Sequence, residues 1–572
     1  MALATGTDDI EWPAGLEPGV FESVLGDVDP LSMVRSLRRA GRHLAVRPHV
    51  SVPALVRFGA RTGTAALDVL ARATTGRLEE PVLIEKGDTR FKDPTWSRNP
   101  GFRLLLESYL AWGRLIEELV DRAGLDESTE TTARFAGRLL ADATAPTNLL
   151  LTNPAALKRA FETGGTSVVH GLRNLATDLT QNGGWPRQVD TSPFELGVNI
   201  AASPGKVVFR NELIEVLQYE ATTPEVYEIP LVVFPPWINR YYIADLAPDK
   251  SLVEWAVKHG HTTFAVSYRN PDTTTRDLTF DDYVRLGPLT AIDVARSVAG
   301  CDVANVISIC LGGTLTTIAL AYLEAVGDHL VNSSTLLNSA LDYSNSGVLA
   351  DVFANGDAVD AMCRRMEKKG FLDAEEMTRT FSLLRANDLV FRYVVDGWLL
   401  GQDPPAFDLL AWNADGTRMP GRTHSYFLRK MYGENALAEG TLTVLEEPLA
   451  LSSIRPEHYV VAAIDDHIVP WQSSYRTTQL IKAPTRFVLT SAGHIAGIVN
   501  PPNPKARHWV NDGDTPTDPA AWKASATQHA DSWWQDWANW IGEHAGDLRP
   551  PRELGTTTHP PLADAPGEYV RS

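Results

Sequence analysis

Cationic side chains are in short supply in this 572-residue chain, where 52 Lys and Arg face 71 Asp and Glu for a formal net charge of −19. That balance argues against nucleic acid as the main partner, and any anionic ligand needs a local basic patch. Cysteine is scarcer still, with three residues, Cys301, Cys310 and Cys363. They cannot all pair and no CxxC spacing offers a zinc site, which fits a reducing compartment where a thiolate stays usable. No stretch approaches the ~18 consecutive apolar residues of a membrane helix, so no membrane span is expected. Met1 to Trp12, with Asp8, Asp9 and Glu11, lacks the basic and apolar regions of a secretory leader, predicting a cytoplasmic protein. Internal repeats are also missing.

What remains is ordinary for a globular protein, 44% hydrophobic and 22% charged, and long enough for two or three domains. Residues 1–200 read as a mainly helical domain. Helical patches cover 30–46 and 64–73, a Pro- and Asp-rich loop follows at 88–100, and helical spacing returns from Gly101 to about Asn182. After Gly205 the rhythm changes to short apolar strands alternating with helices: strands at 230–234, 262–267, 305–309 and 333–340, helices at 251–259 and 281–298. Such alternation predicts a parallel sheet with helices on both faces. It breaks near Asp342 and resumes with strand 458–464, helix 472–481 and strand 485–490. The expected organisation is therefore a helical N-terminal domain, 1–200, and an α/β domain, 201–572, carrying an inserted cap over about 345–448. A Trp-rich helix (Trp533, Trp534, Trp537, Trp540) and a Pro-rich stretch complete the chain.

One corner of this pattern carries chemistry. The β-branched run Val306-Ile307-Ser308-Ile309 leads into Cys310-Leu311-Gly312-Gly313, followed by helical spacing at Leu315, Ile318, Ala319 and Tyr322. A strand turning sharply into a helix with a nucleophile at the corner is the nucleophile elbow of the α/β-hydrolase fold. Here it reads Ser-x-Cys-x-Gly, with a thiol in place of the usual serine and Ser308 where glycine is commonest. In that fold the acid and then the histidine follow the nucleophile along the chain. Strand 458–464 ends in Asp465-Asp466-His467, and strand 485–490 ends in Ser491-Ala492-Gly493-His494. Cys310, Asp466 and His494 thus form a candidate triad at strand ends, where ligands collect in parallel sheets. His494 would take the thiol proton and Asp466 would orient it, although Asp465 is an alternative acid. The oxyanion donors are expected to be the backbone N–H of Leu311 and one from Pro235-Pro236-Trp237-Ile238; prolines cannot donate, which leaves Trp237 or Ile238, with Ile238 the assigned donor. Cys301 and Cys363 read as inert small hydrophobes, and His467 as structural.

Around these residues the chain resembles the polyhydroxyalkanoate synthases. The matching blocks are WSRNPGFRLLLESYL (96–110), PPWINRYYIADLAPDKS (235–251), SICLGGTLTTIALAYL (308–323), ANDLVFRYVV (386–395), PPAFDLLAWNADGTRMPG (404–421), DDHIVPW (465–471) and GHIAGIVNPP (493–502). The family's catalytic Cys, Asp and His fall on Cys310, Asp466 and His494. The resemblance implies polymerisation of (R)-3-hydroxyacyl-CoA into a polyester with release of CoA, by a homodimer associated with polymer granules, CoA thioester being substrate rather than cofactor. It is most similar to the single-subunit, short-chain class, implying 3-hydroxybutyryl-CoA, and it also allows Asp466 a more direct part in activating the hydroxyl. A thiol suits this chemistry, because transfer from CoA to Cys310 exchanges one thioester for another and keeps the acyl group activated. Arg240, Arg392 and Arg418 lie in or beside matched blocks, yet each reads as a solvated surface arginine before a phosphate ligand. Alternative readings are an acyl-CoA thioesterase or hydrolase sharing the triad, and a granule-associated scaffold with a weakened site.

Overall fold

The computed structural model describes residues 30–75, 82–84, 88–345, 356–513 and 515–572. The expected helical arm is therefore described from Pro30 onward, and 346–355 of the expected cap lie outside the described residues. The chain divides into two compact units, Met1–Gln188 with Glu375–Pro404, and Val189–Ala374 with Pro405–Ser572.

Among its described residues the first unit is helical: α1 (Pro30–Ala45), α2 (Pro48–Thr75), α3 (Pro100–Arg122), α4 (Glu127–Ala143) and α5 (Thr166–Gln181) are its longest N-terminal helices. Local chemistry sets their ends. Asn99 accepts from the N–H groups of Gly101 and Phe102 with Pro100 at the first helical position, and Asp126 accepts from Thr129. Leu106, Ala111, Leu115 and Val120 put the apolar stripe of α3 inside. The segment 375–404, expected as part of one continuous cap, packs instead on this unit. Asn174 of α5 donates to the carbonyls of Gly397 and Gln402 (both 3.1 Å), and Trp398 donates to Asp178 (2.7 Å). Gly171 makes the approach possible, since a β-carbon there would lie 2.0 Å from the Trp398 carbonyl oxygen.

The second unit is built on an eleven-stranded sheet. In chain order its strands are β1 (Gly205–Arg210), β2 (Ile214–Tyr219), β3 (Leu231–Phe234), β4 (Thr263–Tyr268), β5 (Ala304–Ile309), β6 (Val331–Leu337), β7 (Glu457–Ala463), β8 (Thr485–Thr490), β9 (His508–Val510), β10 (Thr527–His529) and β11 (Ala563–Asp564). They lie in the order β10-β9-β8-β7-β6-β5-β3-β4-β2-β1-β11. The inner strands β4-β3-β5-β6-β7-β8 pair in parallel, as the strand and helix alternation predicts. The outer ones do not: β2 and β1 on one side and β9 and β10 on the other run antiparallel to their neighbours. The expected parallel sheet thus holds for the six inner strands and is corrected at its flanks, where the pairing is antiparallel.

Every residue of β3, β4 and β5 is buried, as strands covered on both faces require. The expected helix 281–298 is broken between α-helical pieces 280–284 and 290–299, because Gly287 leaves helical geometry and Pro288 has no N–H to give. The Trp-rich helix has no such break: it spans Trp533–Glu543, buries Trp533, Trp534 and Trp537, and joins the core with Tyr459, Val461 and Val488.

Candidate active site

Strand β5 ends at Ile309, and the helix Leu311–Val326 begins one residue after Cys310. Cys310 itself sits at φ 52°, ψ −122°, a sparsely populated conformation for a residue with a β-carbon. Two backbone bonds hold it there: its N–H donates to the Leu337 carbonyl (2.8 Å), and its own carbonyl accepts from Gly313 (2.9 Å). Gly312 and Gly313 are required by close approach. A β-carbon at Gly312 would lie 2.5 Å from the Pro235 carbonyl oxygen, and one at Gly313 would lie 2.0 Å from the Ser339 hydroxyl. This is the strained turn that the Ser-x-Cys-x-Gly pattern predicts.

Ser308, the departure from glycine, lies in mid-strand between Phe234 and Leu336 of the flanking strands. It is fully buried, and its hydroxyl has no hydrogen-bond partner.

The structure brings the other two candidate residues to this corner. Asp466 follows β7 and His494 follows β8, and His494 Nδ1 lies 2.6 Å from Asp466 Oδ2. The second carboxylate oxygen of Asp466 accepts from the N–H groups of Ile468 (2.8 Å) and Val469 (2.9 Å), which fixes its orientation. The Cys310 sulfur is close enough to act on the His494 ring. Burial alone would push the imidazole down, but the Asp466 carboxylate and the Cys310 sulfur overcome it and hold His494 well above its usual range. Of the two neighbouring acids, Asp466 is buried against the ring, whereas Asp465 is exposed. Its backbone still matters, as the Asp465 N–H donates to the Ala492 carbonyl (3.1 Å) and ties the two loops.

Leu311 occupies the first helical position, whose N–H has no partner within the helix. Trp237 and Ile238 lie in the loop after β3 whose Pro235 carbonyl meets Gly312, so the two segments expected to supply oxyanion donors adjoin at the elbow. Aromatic rings crowd the same region. Phe427 meets Trp237 (5.6 Å between ring centroids), Tyr343 (5.6 Å) and Tyr432 (6.1 Å). Tyr343 also pairs its hydroxyl with Thr314 (2.9 Å) on the elbow helix. Burial raises the hydroxyls of Tyr343 and Tyr432, both close enough to feel the Cys310 sulfur, and keeps them protonated at neutral pH.

Sequence reasoning missed two supports. Trp533 and Trp534 donate from their indole N–H groups to the carbonyls of Gly497 (2.8 Å) and Ile498 (2.9 Å), pinning the turn that starts at His494. Asn338 donates to the His494 carbonyl. The clustering of tryptophans near residue 533 was a visible signal of burial, but nothing local linked it to the histidine. Cys301 and Cys363 are free thiols. Arg240, one of the three arginines weighed as phosphate ligands, is buried and spent on Asp415 (3.2 Å) and on the carbonyls of Tyr569 (3.2 Å) and Ser572 (2.6 Å). No group of three or more His, Cys, Asp or Glu suited to a metal occurs among the described residues, and no described helix is long and apolar enough to cross a membrane.

Two family models match the chain: "Poly-beta-hydroxybutyrate polymerase (PhaC) N-terminus" over residues 87–256 and "alpha/beta hydrolase fold" over residues 233–501. A poly(3-hydroxyalkanoate) polymerase of Methylorubrum extorquens is 39% identical over 98% of this chain and 93% of its own length. The poly(3-hydroxyalkanoate) polymerase subunit of Cupriavidus necator is 42% identical over 85% of this chain and 83% of its own. Polymerase 1 of Ectopseudomonas oleovorans is 40% identical over 85% and 87%. With identity of this order sustained across nearly its whole length, and an α/β-hydrolase elbow at its centre, the chain belongs to the poly(3-hydroxyalkanoate) polymerase family.

Proposed function

We propose that the chain polymerises (R)-3-hydroxyacyl-CoA, 3-hydroxybutyryl-CoA first among them, and that Cys310 carries the growing polyester as a thioester. The observation that carries this reading is the buried grouping of Cys310, His494 and Asp466 at the ends of strands β5, β8 and β7. The Cys310 sulfur attacks the acyl carbonyl of a CoA thioester, and its proton passes to His494 Nε2. The tetrahedral oxyanion is met by the N–H groups of Leu311 and Ile238. As the carbonyl reforms, the bond to CoA breaks and the CoA sulfur takes the proton from His494. In the next half-reaction the 3-hydroxyl of an incoming acyl-CoA gives its proton to His494 and attacks the Cys310 thioester. The ester bond forms, the Cys310–acyl bond breaks, and the freed sulfur then recaptures the lengthened acyl group with loss of CoA. Asp466 holds the imidazole in the tautomer with Nδ1 protonated and stabilises the imidazolium.

Water is the competing acceptor. Cys310 is only 9% exposed, and Tyr343 and Tyr432, close enough to feel its sulfur, pack with Phe427, which in turn meets Trp237, surroundings that favour transfer to a bound hydroxyl over hydrolysis. We further infer that the enzyme works in the cytoplasm as a homodimer at the surface of polymer granules. An apolar row on α5 supports contact with such a surface: Val169, Leu172 and Leu179 are 65%, 61% and 61% exposed.

The test is Cys310→Ala with 3-hydroxybutyryl-CoA, following free thiol and recovering the product. Wild-type enzyme is expected to yield insoluble polyester and free CoA, and the variant neither. CoA release by the variant at more than about 1% of the wild-type rate would overturn the nucleophile assignment. Soluble 3-hydroxy acid as the sole wild-type product would replace polymerase by hydrolase.

A further inference from the structure

We propose that Asn338 is a positioning residue for His494 and, through it, for the transfer reaction; this rests on the reading of His494 as the base. Asn338 is the first residue after strand β6 and is fully buried. Its side-chain amide donates to the backbone carbonyl of His494, 156 residues further along the chain. Its own N–H donates to the Val461 carbonyl of β7 (2.8 Å), the strand that leads to Asp466.

The neighbours of Asn338 complete a clamp. The carbonyl of Leu337 accepts the Cys310 N–H, and Ser339 fills the space beside Gly313. Three consecutive residues thus touch the backbone of the nucleophile, the backbone of the base and the strand carrying the acid. His494 needs such a hold. It follows Ala492 (φ 76°) and Gly493 and begins a helix of only five residues, so little in its own segment sets where the ring stands.

The residue type matches this role. Asn338 has φ 46°, in the left-handed region that glycine, asparagine and aspartate tolerate best. Glycine would fit the backbone but has no donor, and a carboxylate would face the His494 carbonyl with an acceptor. Asparagine supplies both the conformation and a short donor. It also bears a cost, because its side-chain oxygen is buried without a partner. A site selected for stability alone would shed that oxygen; retaining it fits a residue kept for function.

Asn338→Gly in the full chain tests this, since glycine keeps the turn and deletes only the side chain. The melting temperature is expected to stay level or rise, KM for 3-hydroxybutyryl-CoA to stay within twofold, and kcat to fall at least tenfold. Alkylation of Cys310 by iodoacetamide at pH 7 should slow severalfold as the ring loses its place beside the thiol. Asn338→Asp keeps the shape and removes the donor; the same fall in kcat and slower alkylation are expected, with a lower melting temperature because an unpaired carboxylate is buried against a carbonyl. A kcat within threefold of wild type with unchanged alkylation in both variants overturns the proposal. So does a fall in kcat matched by an equal loss of folded protein, which marks a merely structural role. His494→Gln, run in parallel, separates the two ideas. If it stays active the base assignment is wrong, whereas an inactive His494→Gln beside an unaffected Asn338→Gly refutes the clamp alone.

Discussion

Replacing Asp466 by asparagine changes one atom of the site and its consequence can be followed atom by atom. In the wild type, one carboxylate oxygen is held by the N–H groups of Ile468 and Val469 at 2.8 and 2.9 Å, and the other faces His494 Nδ1 at 2.6 Å. Asparagine must keep its oxygen toward the two N–H donors, so its NH2 group takes the place facing the imidazole. Two donors cannot face each other at that distance, and His494 must then present an unprotonated Nδ1 and carry its proton on Nε2. In that tautomer the ring cannot accept a proton from Cys310 or from an incoming hydroxyl. It also loses the carboxylate that holds it above its usual range. A wrong-tautomer change of this kind costs about three to four orders of magnitude in kcat, or about 4–5 kcal/mol of barrier at 1.36 kcal/mol per decade. The fold should be spared, because the Ile468 and Val469 bonds survive. Asp466→Ala is the contrast: it strands both N–H groups in a buried loop, at about 1–3 kcal/mol each, so its melting temperature should fall as well. Initial rates of CoA release and thermal melts of the two variants make the comparison. An Asp466→Asn enzyme within tenfold of wild-type kcat would refute the tautomer argument.

Two other expectations concern residues outside this pair. Ser308→Gly should leave kcat within about threefold of wild type. Its stability should change little, since relief of a buried unpaired hydroxyl, ~1–3 kcal/mol, opposes the strand entropy lost to glycine, ~0.5–1 kcal/mol; collapse of activity would give Ser308 a role of its own. Acid sensitivity should be set by His261, His424 and His458, which burial holds down at about 4. Below the ordinary value of 6.5 the unfolded chain binds protons that these native rings refuse, so stability present above pH 6.5 declines as pH falls through about 4. By pH 5 each ring should cost about 2 kcal/mol, and His424→Leu should flatten the slope of melting temperature against pH between 7 and 5. An unchanged slope would sink this account.

The three residues proposed as a triad could be singled out because each stands at a local signal. Cys310 stands between a β-branched strand and two glycines, and Asp466 and His494 each close an apolar strand in the chain order that the fold demands. The edges of the sheet were not legible in the same way. Strands β9, β10 and β11 have three, three and two residues and exist because a neighbouring edge offers hydrogen bonds, not through their own propensity. The destination of 375–404 was hidden for a related reason. The residues that receive it, Gly171, Asn174 and Asp178, look like ordinary positions of helix α5 until Trp398 is seen against them. Asn338 shows the same limit at the site itself, as its left-handed turn is a readable local signal but its partner carbonyl is not.

The elbow's two variable positions are not equivalent, and this explains why serine is accommodated at one of them. Ser308 lies within β5, where its small side chain occupies the same layer as Phe234 and Leu336 and meets side chains that can adjust. Its cost is one unpaired hydroxyl, a stability term that leaves the turn intact. Gly312 lies on the far side of Cys310, where any β-carbon would press on the carbonyl oxygens of Phe234 (2.6 Å) and Pro235 (2.5 Å). Those are backbone atoms at the root of the loop carrying Trp237 and Ile238, so relief of the clash must shift the backbone at Cys310, that loop or both. A substitution before the cysteine is therefore expected to act on stability, and one after it on the geometry of the turn. The turn at Cys310 rests on the close approaches at Gly312 and Gly313 and not on the residue at 308, which leaves the first position free to vary.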